Sequence, residues 1–439
     1  MGSDNQAVAA VTTPRQTAPA WALTMLTCIY ICGFIDRIIM QVLVEPVKAE
    51  FDLSDLQIGL VTGLAFAVLN VVLGLWVARI AERRRRMTLV SIGTVLWSIA
   101  TAGCGMANNF LQLVAARISV GVGEAVGLPS SSSIISDYFP KKNRTTAMSV
   151  LYLAPPVGAF IGFVGGGLIA QEYGWRVTFW IAAIPGFILA ALATFTVKEP
   201  QRGRFDNLGG KTDVVPSFGS VMRRTWERHS LRHLLAGSVV ASVVGFGVNA
   251  FLAAFLMRRF GFSLAEAGII AGVIASLPAS ISMLCAGWMA DRIGKRDARS
   301  YGFIPGISLL IAAPVYILAV TRPDAASAVI LLGIATLFMY TYLGPTLGVF
   351  QNMMHPRMRA TSFAFNGMLY SLIGNGLGPL MVGSFSDYFA TDSTQSGTGE
   401  GLMIALALSA IGYLWAAVHY LLATRSLREE WTMPIEVKS

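Results

Sequence analysis

The chain has 439 residues, 54% hydrophobic and only 13% charged, with 33 Lys and Arg against 24 Asp and Glu for a net charge of +9. Soluble domains carry about 25% charged residues, so the composition excludes an ordinary soluble domain and indicates an integral membrane protein. The apolar runs suit helices of about 20 residues and exclude the ten-residue alternation of a β-barrel.

Residues 1–19 are polar and lack the pattern of a cleavable leader, so they read as a disordered cytoplasmic tail. Twelve spans follow, at roughly 21–44, 57–80, 87–106, 110–138, 146–170, 175–197, 233–257, 266–290, 299–320, 326–352, 361–388 and 401–423. They group into a first six-helix half (20–197), a cytoplasmic linker (198–232), a second half (233–424) and a cytoplasmic C-terminal tail (425–439). The linker holds eight Lys/Arg against four acids, and its end, from Val221 through Trp226, has the pattern of an amphipathic helix lying on the inner leaflet. His229 and His233 have a metal-pair spacing without an acidic third ligand nearby, and a metal site is not expected.

Loop charges alternate. The first connection is net acidic (Glu45, Lys48, Glu50, Asp52, Asp55), the second carries Arg79, Arg83, Arg84, Arg85 and Arg86, and basic residues recur in the fourth, eighth and tenth. Basic loops mark the cytoplasmic side, so both termini lie inside; Arg258 and Arg259 are the one exception. The same rule accounts for the arginine run without nucleic acid. Cys28, Cys32, Cys104 and Cys285 all fall in apolar runs and read as packing residues.

Charge within the spans is where function is expected, because a charge at bilayer depth costs roughly 2.5–3.5 kcal/mol on insertion scales and usually faces a bundle interior or aqueous cavity. Span 1 holds Asp36 and Arg37; span 4 holds Arg117 and Glu124 on one helix face, two turns apart. Asp36 lies roughly 22 Å and Glu124 roughly 21 Å from the cytoplasmic ends of their spans at 1.5 Å per residue, so the carboxyls are expected at similar depth, able to face each other across a cavity. Asp36 and Glu124 are the candidate proton-coupling acids, with Arg37 and Arg117 tuning them or holding an anionic headgroup; the proton is the coupling ion, with no cofactor, catalytic residue or metal. The competing reading is static ion pairing that fixes helix packing.

The halves repeat. Gly74 to Arg84 matches Gly287 to Asp297 at an offset of 213, and Arg144-Thr-Thr-Ala matches Arg359-Ala-Thr-Ser at 215. Such duplication is the parallel repeat of a two-bundle transporter. A shift of 213 takes Asp36 to Asn249, and a shift of 214 takes Glu124 to Phe338 and Arg117 to Leu331. The second half thus offers a largely apolar wall with Tyr340, Tyr342, Asn366 and Asn375 as sparse polar points. With Tyr152 and Asn249 these are candidate cavity-lining residues. A site charged on one side and apolar on the other suits an amphiphile better than a sugar.

The repeated loop resembles the G-x-x-x-D-R-x-G-R/K-R/K signature of the major facilitator superfamily, complete at Gly287 to Arg296. Arg117-x-x-x-Gly121 resembles its fourth-helix arginine motif, and Ala154-Pro155-Pro156-Val157-Gly158 and Gly378-Pro379 resemble its Gly-Pro motif. Phe34-Ile-Asp36-Arg37, Val120-Gly-Val-Gly-Glu124, Gly174-Trp-Arg176 and Lys198-Glu-Pro200 are similar to the spinster group. The resemblance implies an all-α membrane protein of twelve helices in two pseudo-symmetric bundles. It further implies alternating access and transport of a sphingoid or lysophospholipid-like amphiphile, driven by protons. It makes Arg79, Glu82, Arg144, Asp291, Arg292 and Arg359 a cytoplasmic gate, and Pro155, Pro156, Gly158 and Pro379 bending points. In the first copy the loop aspartate is Ala78 and the glycine Ala81, so a latch there would rest on Arg79 and Glu82. The alternative reading is a carrier of small organic anions held by Arg37 and Arg117. A monomer in a bacterial inner membrane, in contact with membrane lipids, is the expected setting.

Overall fold

In a bilayer every backbone N–H and C=O needs an internal partner, which leaves an apolar chain the helix as its repeating solution. The computed structural model, which describes residues 17–202, 218–355, 358–392 and 395–432, is helical accordingly. Ten described elements are long and apolar enough to cross a membrane. One of them, Thr146–Thr196, would be roughly 77 Å long if straight, against a hydrocarbon core of about 30 Å. It is broken at Gly174, whose φ of 81° and ψ of 165° no helix contains, and counts as spans 5 (146–173) and 6 (174–196). The stretch 359–389 supplies span 11, giving twelve: 19–42, 55–83, 86–105, 110–138, 146–173, 174–196, 229–260, 264–294, 300–320, 325–353, 359–389 and 395–432. An even number puts both ends of the described chain on one face, here called the basic face.

Glycine decides how closely the spans approach. Gly158, Gly162 and Gly166 form a stripe on span 5, and a Cβ on each would meet Phe34, Ile38 and Val42 of span 1 at 2.5, 2.9 and 2.9 Å. Gly121 and Gly123 of span 4 likewise rest on Phe66 and Trp97. The 1–5 contact is therefore set by a period-four glycine row that only helical geometry brings onto one face.

Several spans are discontinuous. Span 4 is interrupted at Ala125–Val126, directly after Glu124, and span 10 at Tyr340–Tyr342, the matching place in the repeat. Spans 2 and 11 each contain a π-helical turn, Leu60–Leu64 and Tyr370–Asn375. Span 5 is interrupted too, at Tyr152–Leu153, and Pro155 and Pro156 stand directly after that break, in the first turn of the segment that starts at Ala154. Pro379 lies inside the last part of span 11.

The starts of spans 3 and 7 are capped by side chains from elsewhere. Glu199 accepts from the Met87 N–H of span 3 at 2.9 Å and from Arg86 at 2.8 Å. Glu430 accepts from the N–H groups of His229 (2.9 Å) and Ser230 (3.1 Å) at the start of span 7, and from the Ser230 hydroxyl. Span 12 thus runs on to Thr432, into the segment read as a tail, with Leu427 buried, and span 7 begins at His229, inside the expected linker. The expected N-terminal tail lies outside the described residues up to residue 16. At the opposite face Arg176 and Trp175 both bond Glu50, and the hydrogen bond from Arg176 holds that carboxyl below the usual carboxylate range.

Glu430→Ala removes the acceptor for two first-turn N–H groups and a hydroxyl, a local cost of about 1–3 kcal/mol. A lower unfolding temperature in detergent is expected, smaller for Glu430→Gln, which keeps an acceptor. A Glu430→Ala protein as stable as the parent would show that the cap contributes nothing.

Candidate functional site

Between the halves lies a cavity of about 750 Å³. Spans 1 and 4 give its inner end Tyr30, Gly33, Arg37 and Glu124; toward the basic face the wall is Ser132, Met148, Tyr152, Gln351 and Phe363. At the opposite face the halves are pressed together, so the cavity extends toward the basic face alone.

Glu124 is the last residue before the break in span 4, with a side chain only 4% exposed. Its Oε2 receives both Nε (2.6 Å) and Nη2 (2.5 Å) of Arg37, while Oε1 has no partner. Gly33, one turn before Arg37, makes room: a Cβ there would already touch the Glu124 carboxylate at 3.7 Å. Arg37 stays 30% exposed and lies over the rings of Phe66 (4.6 Å) and Phe34 (5.0 Å), an arrangement that favours a desolvated cation.

Asp36, a residue earlier, is turned about 100° around the helix and points away from the cavity. Its Oδ2 accepts from the Thr101 hydroxyl of span 3, and its Oδ1 has no partner. Arg117, 1% exposed, gives Nη1 to the Asp36 carbonyl at 3.4 Å and leaves Nε unpartnered. Two layers result. Arg37 and Glu124 face the cavity; Asp36, Thr101 and Arg117 lie behind them in the first half. The expectation that Asp36 and Glu124 face each other across the cavity is not met, because Asp36 is directed at span 3. Arg117 is not the partner of Glu124; Arg37 is. Within-helix spacing gave the shared face of Arg117 and Glu124 but not the rotation of span 1 against span 4. The signal for the true pair was Gly33, four residues before Arg37.

Of the expected lining residues, Tyr152 lies in the wall and meets Phe363 of the second half edge-on, with ring centroids 6.3 Å apart. Asn249 bonds the Tyr340 hydroxyl, Tyr342 is 3% exposed, and Asn366, wholly buried, donates to the Ser362 carbonyl at 3.0 Å. These four lie outside the cavity wall. The second-half wall is instead Phe363, Ala364, Gly367, Met368 and Ser371. His229 and His233 lie ring to ring at a tilt of 56°, centroids 4.4 Å apart, with His233 Nδ1 2.8 Å from His419 Nδ1.

The described contacts of the expected gate residues lie within their own halves. Asp291 accepts from the Tyr301 hydroxyl of its own half at 2.8 Å, and Arg292 lies over Trp288. Arg144 donates to the Ser136 carbonyl at 2.7 Å, and the exposed Arg359 offers its carbonyl to Gln351. The side chains of Arg79 and Glu82 lie outside the described residues. The sequence reading missed the closure at the other face, where Arg258 donates to Asp55 and Glu45; its signal was Arg258 breaking the charge rule.

The family model described as Major Facilitator Superfamily matches residues 26–379. A crystal structure of a bacterial homologue of the human lysosomal transporter spinster, inward-facing and occupied, superposes with a TM-score of 0.86 at 30% identity, covering 94% of this chain and 98% of that one. An MFS-type efflux pump of Mycolicibacterium smegmatis is 29% identical over 406 residues, 91% of this chain and 93% of the pump. The sphingosine-1-phosphate transporter SPNS2 of Danio rerio is 23% identical over 416 residues, 90% of this chain and 81% of its own length.

Arg37→Ala strands a buried carboxylate, and the expected loss of stability is about 3 kcal/mol, the low end for a broken buried pair because Arg37 is partly exposed. Combining it with Glu124→Gln should recover much of that loss in thermal unfolding. Additive losses would mean that the two side chains are not energetically coupled.

Proposed function

The chain belongs to the Major Facilitator Superfamily and, within it, to the spinster-type transporters, and from that premise we propose that it moves a lysophospholipid-like or sphingoid amphiphile, driven by a proton gradient. The observation that carries this reading is the asymmetry of the cavity. One corner holds a guanidinium and a carboxylate, and the facing wall of the second half is mostly apolar, Phe363, Ala364, Gly367 and Met368, with the uncharged Ser371 and Gln351 beside them. A single-chain lipid presents the matching chemistry, an ionic headgroup for Arg37 and an alkyl chain for the wall.

Coupling rests on competition. Glu124 occupies Arg37 through one oxygen while its other oxygen has no donor. A proton on that free oxygen neutralises Glu124 and releases the guanidinium to an anionic headgroup; departure of the headgroup lets the pair re-form and the proton leave. Asp36 and its unpartnered oxygen stand one layer behind as a second acceptor. The protein acts as a monomer in a bacterial inner membrane, with the basic face cytoplasmic as the loop charges require.

Fluorescent lysophospholipid flux into proteoliposomes under an imposed pH gradient tests the reading. The parent should accumulate the lipid. Glu124→Gln should keep exchange at equal concentrations but lose gradient-driven accumulation, and Asp36→Asn should be impaired in the same direction. Flux of small dicarboxylates in preference to the lipid would favour an organic-anion carrier. Lipid flux indifferent to the gradient would end the proton-coupling proposal.

A further inference from the structure

The halves close the face opposite the cavity mouth along two seams that the internal repeat makes counterparts. Span 2 meets span 11, and span 8 meets span 5. Spans 2 and 8 start alike, with capping boxes at Ser54–Gln57 and Ser263–Glu266. Each start also donates to a side chain of the other half. Asp387 of span 11 takes the N–H groups of Asp55 and Leu56 at 2.8 Å each, and Gln171 of span 5 takes that of Ala265 at 2.9 Å. Glycines bring the backbones together at both seams: a Cβ on Gly383 would stand 2.2 Å from the Asp55 carbonyl oxygen, and one on Gly268 2.5 Å from that of Phe163.

Charge breaks this symmetry. Beside the 2–11 seam, Arg258 of span 7 grips both oxygens of Asp55 at 2.6 and 2.8 Å and Glu45 at 2.9 Å, and the Ser386 hydroxyl donates to Asp55 at 2.6 Å. Asp55 is 1% exposed and Arg258 6%. With the two bonds to Asp387, six polar bonds cross between the halves here, each to an ionised carboxylate, the class roughly twice as strong as neutral bonds. At the 5–8 seam the described residues place one, and it is neutral. The flanks of that seam are apolar and exposed along the bilayer side, with Phe160, Ile161 and Leu168 on span 5 and Ile269 and Val273 on span 8.

We propose that this face opens lopsidedly: the 2–11 seam stays clasped and serves as the hinge, and the 5–8 seam parts. An amphiphile then leaves sideways, its tail passing into lipid between spans 5 and 8 while its headgroup stays in the widening aqueous cleft. The hinge follows from the clasp alone; the lipid exit rests on the amphiphile reading above.

Spin-label distances in lipid nanodiscs test the hinge, with the four native cysteines replaced and the unfolding temperature matched to the parent. One pair, Glu172 and Ile269, spans the 5–8 seam; the other, Leu56 and Tyr388, spans the 2–11 seam. Gly268→Leu wedges the 5–8 seam, and Gln171→Ala loosens it without added bulk should the wedge fail to fold. Either should lengthen the 172–269 distance by roughly 5 Å or more, half a helix diameter, and leave the 56–388 distance at its parental value. Distances unmoved at both seams, or lengthened equally, overturn the hinge. A bifunctional thiol reagent tying 172 to 269 should abolish lysophospholipid flux, while the same reagent tying 56 to 388 should spare it. Flux surviving the 172–269 tie overturns the exit route. A parent that moves no lysophospholipid overturns the amphiphile reading and the exit with it, and the seam distances still decide the hinge.

Discussion

The ion pair between Arg37 and Glu124 is the constraint around which the first half is arranged. A carboxylate 4% exposed within an apolar bundle is tolerable only beside a partner, and the partner must come from another helix because the glutamate's own neighbours are glycine, alanine and valine. Span 1 delivers that partner at a set depth and rotation. The glycine row of span 5 fixes its height, Gly33 opens the space in front of Glu124, and Phe34 and Phe66 provide ring faces for the cation. Because Asp36 precedes Arg37, the same rotation that sends the arginine to the cavity sends the aspartate to Thr101. One helix turn therefore supplies two chemically distinct layers.

The helix ends follow a second rule. The first-turn N–H groups of a helix lack intrahelical acceptors and carry partial positive charge. Here the acceptors are often foreign carboxylates: Glu199 for span 3, Glu430 for span 7, Asp387 for span 2. Glu199 and Glu430 tie each half to itself. Asp387 ties one half to the other, which makes a capping interaction part of the closure of the molecule. Local helix chemistry and the state of the cavity are thereby linked through a single side chain.

How much of this was legible in the sequence depends on whether one helix or two were needed to read it. Span number, the duplicated halves, the charged residues in spans 1 and 4 and the packing role of the glycine rows all follow from periodicity or composition along one segment. The pairing of Arg37 with Glu124 does not, because periodicity gives the face of a helix but not its rotation against a neighbour. The breaks after Glu124 and at Tyr340 were legible only as prolines, Pro129 and Pro345, each four residues beyond the carbonyl it leaves without a donor; the π turns in spans 2 and 11 leave no periodic trace over five or six residues. Asn249, Tyr340, Tyr342 and Asn366 stand out as polar residues in an apolar run, but the second half keeps them to itself: Asn249 bonds Tyr340, and Asn366 donates to Ser362 and leaves its Oδ1 without a partner. Arg258 was visible as an anomaly of charge placement whose cause, Asp55 and Glu45 across the interface, lies beyond the reach of a one-dimensional rule.

The divergence of the two repeats shows what each layer of the sequence is for. Features that packing requires are kept in both halves: a capping box at the start of spans 2 and 8, close glycine contacts at both seams, discontinuities at matching places in spans 4 and 10. Features that chemistry requires appear once. Asp36 corresponds to Asn249, which makes a neutral bond to Tyr340, and Glu124 corresponds to Phe338. Two copies of a buried acid would double a desolvation cost of several kcal/mol per ion, yet the halves share one cavity and need one charged corner between them. The same economy shapes the far face, where one seam is charged and its counterpart neutral. A duplicated scaffold gives the molecule two equivalent ways to bend, and the unpaired placement of charge makes them inequivalent.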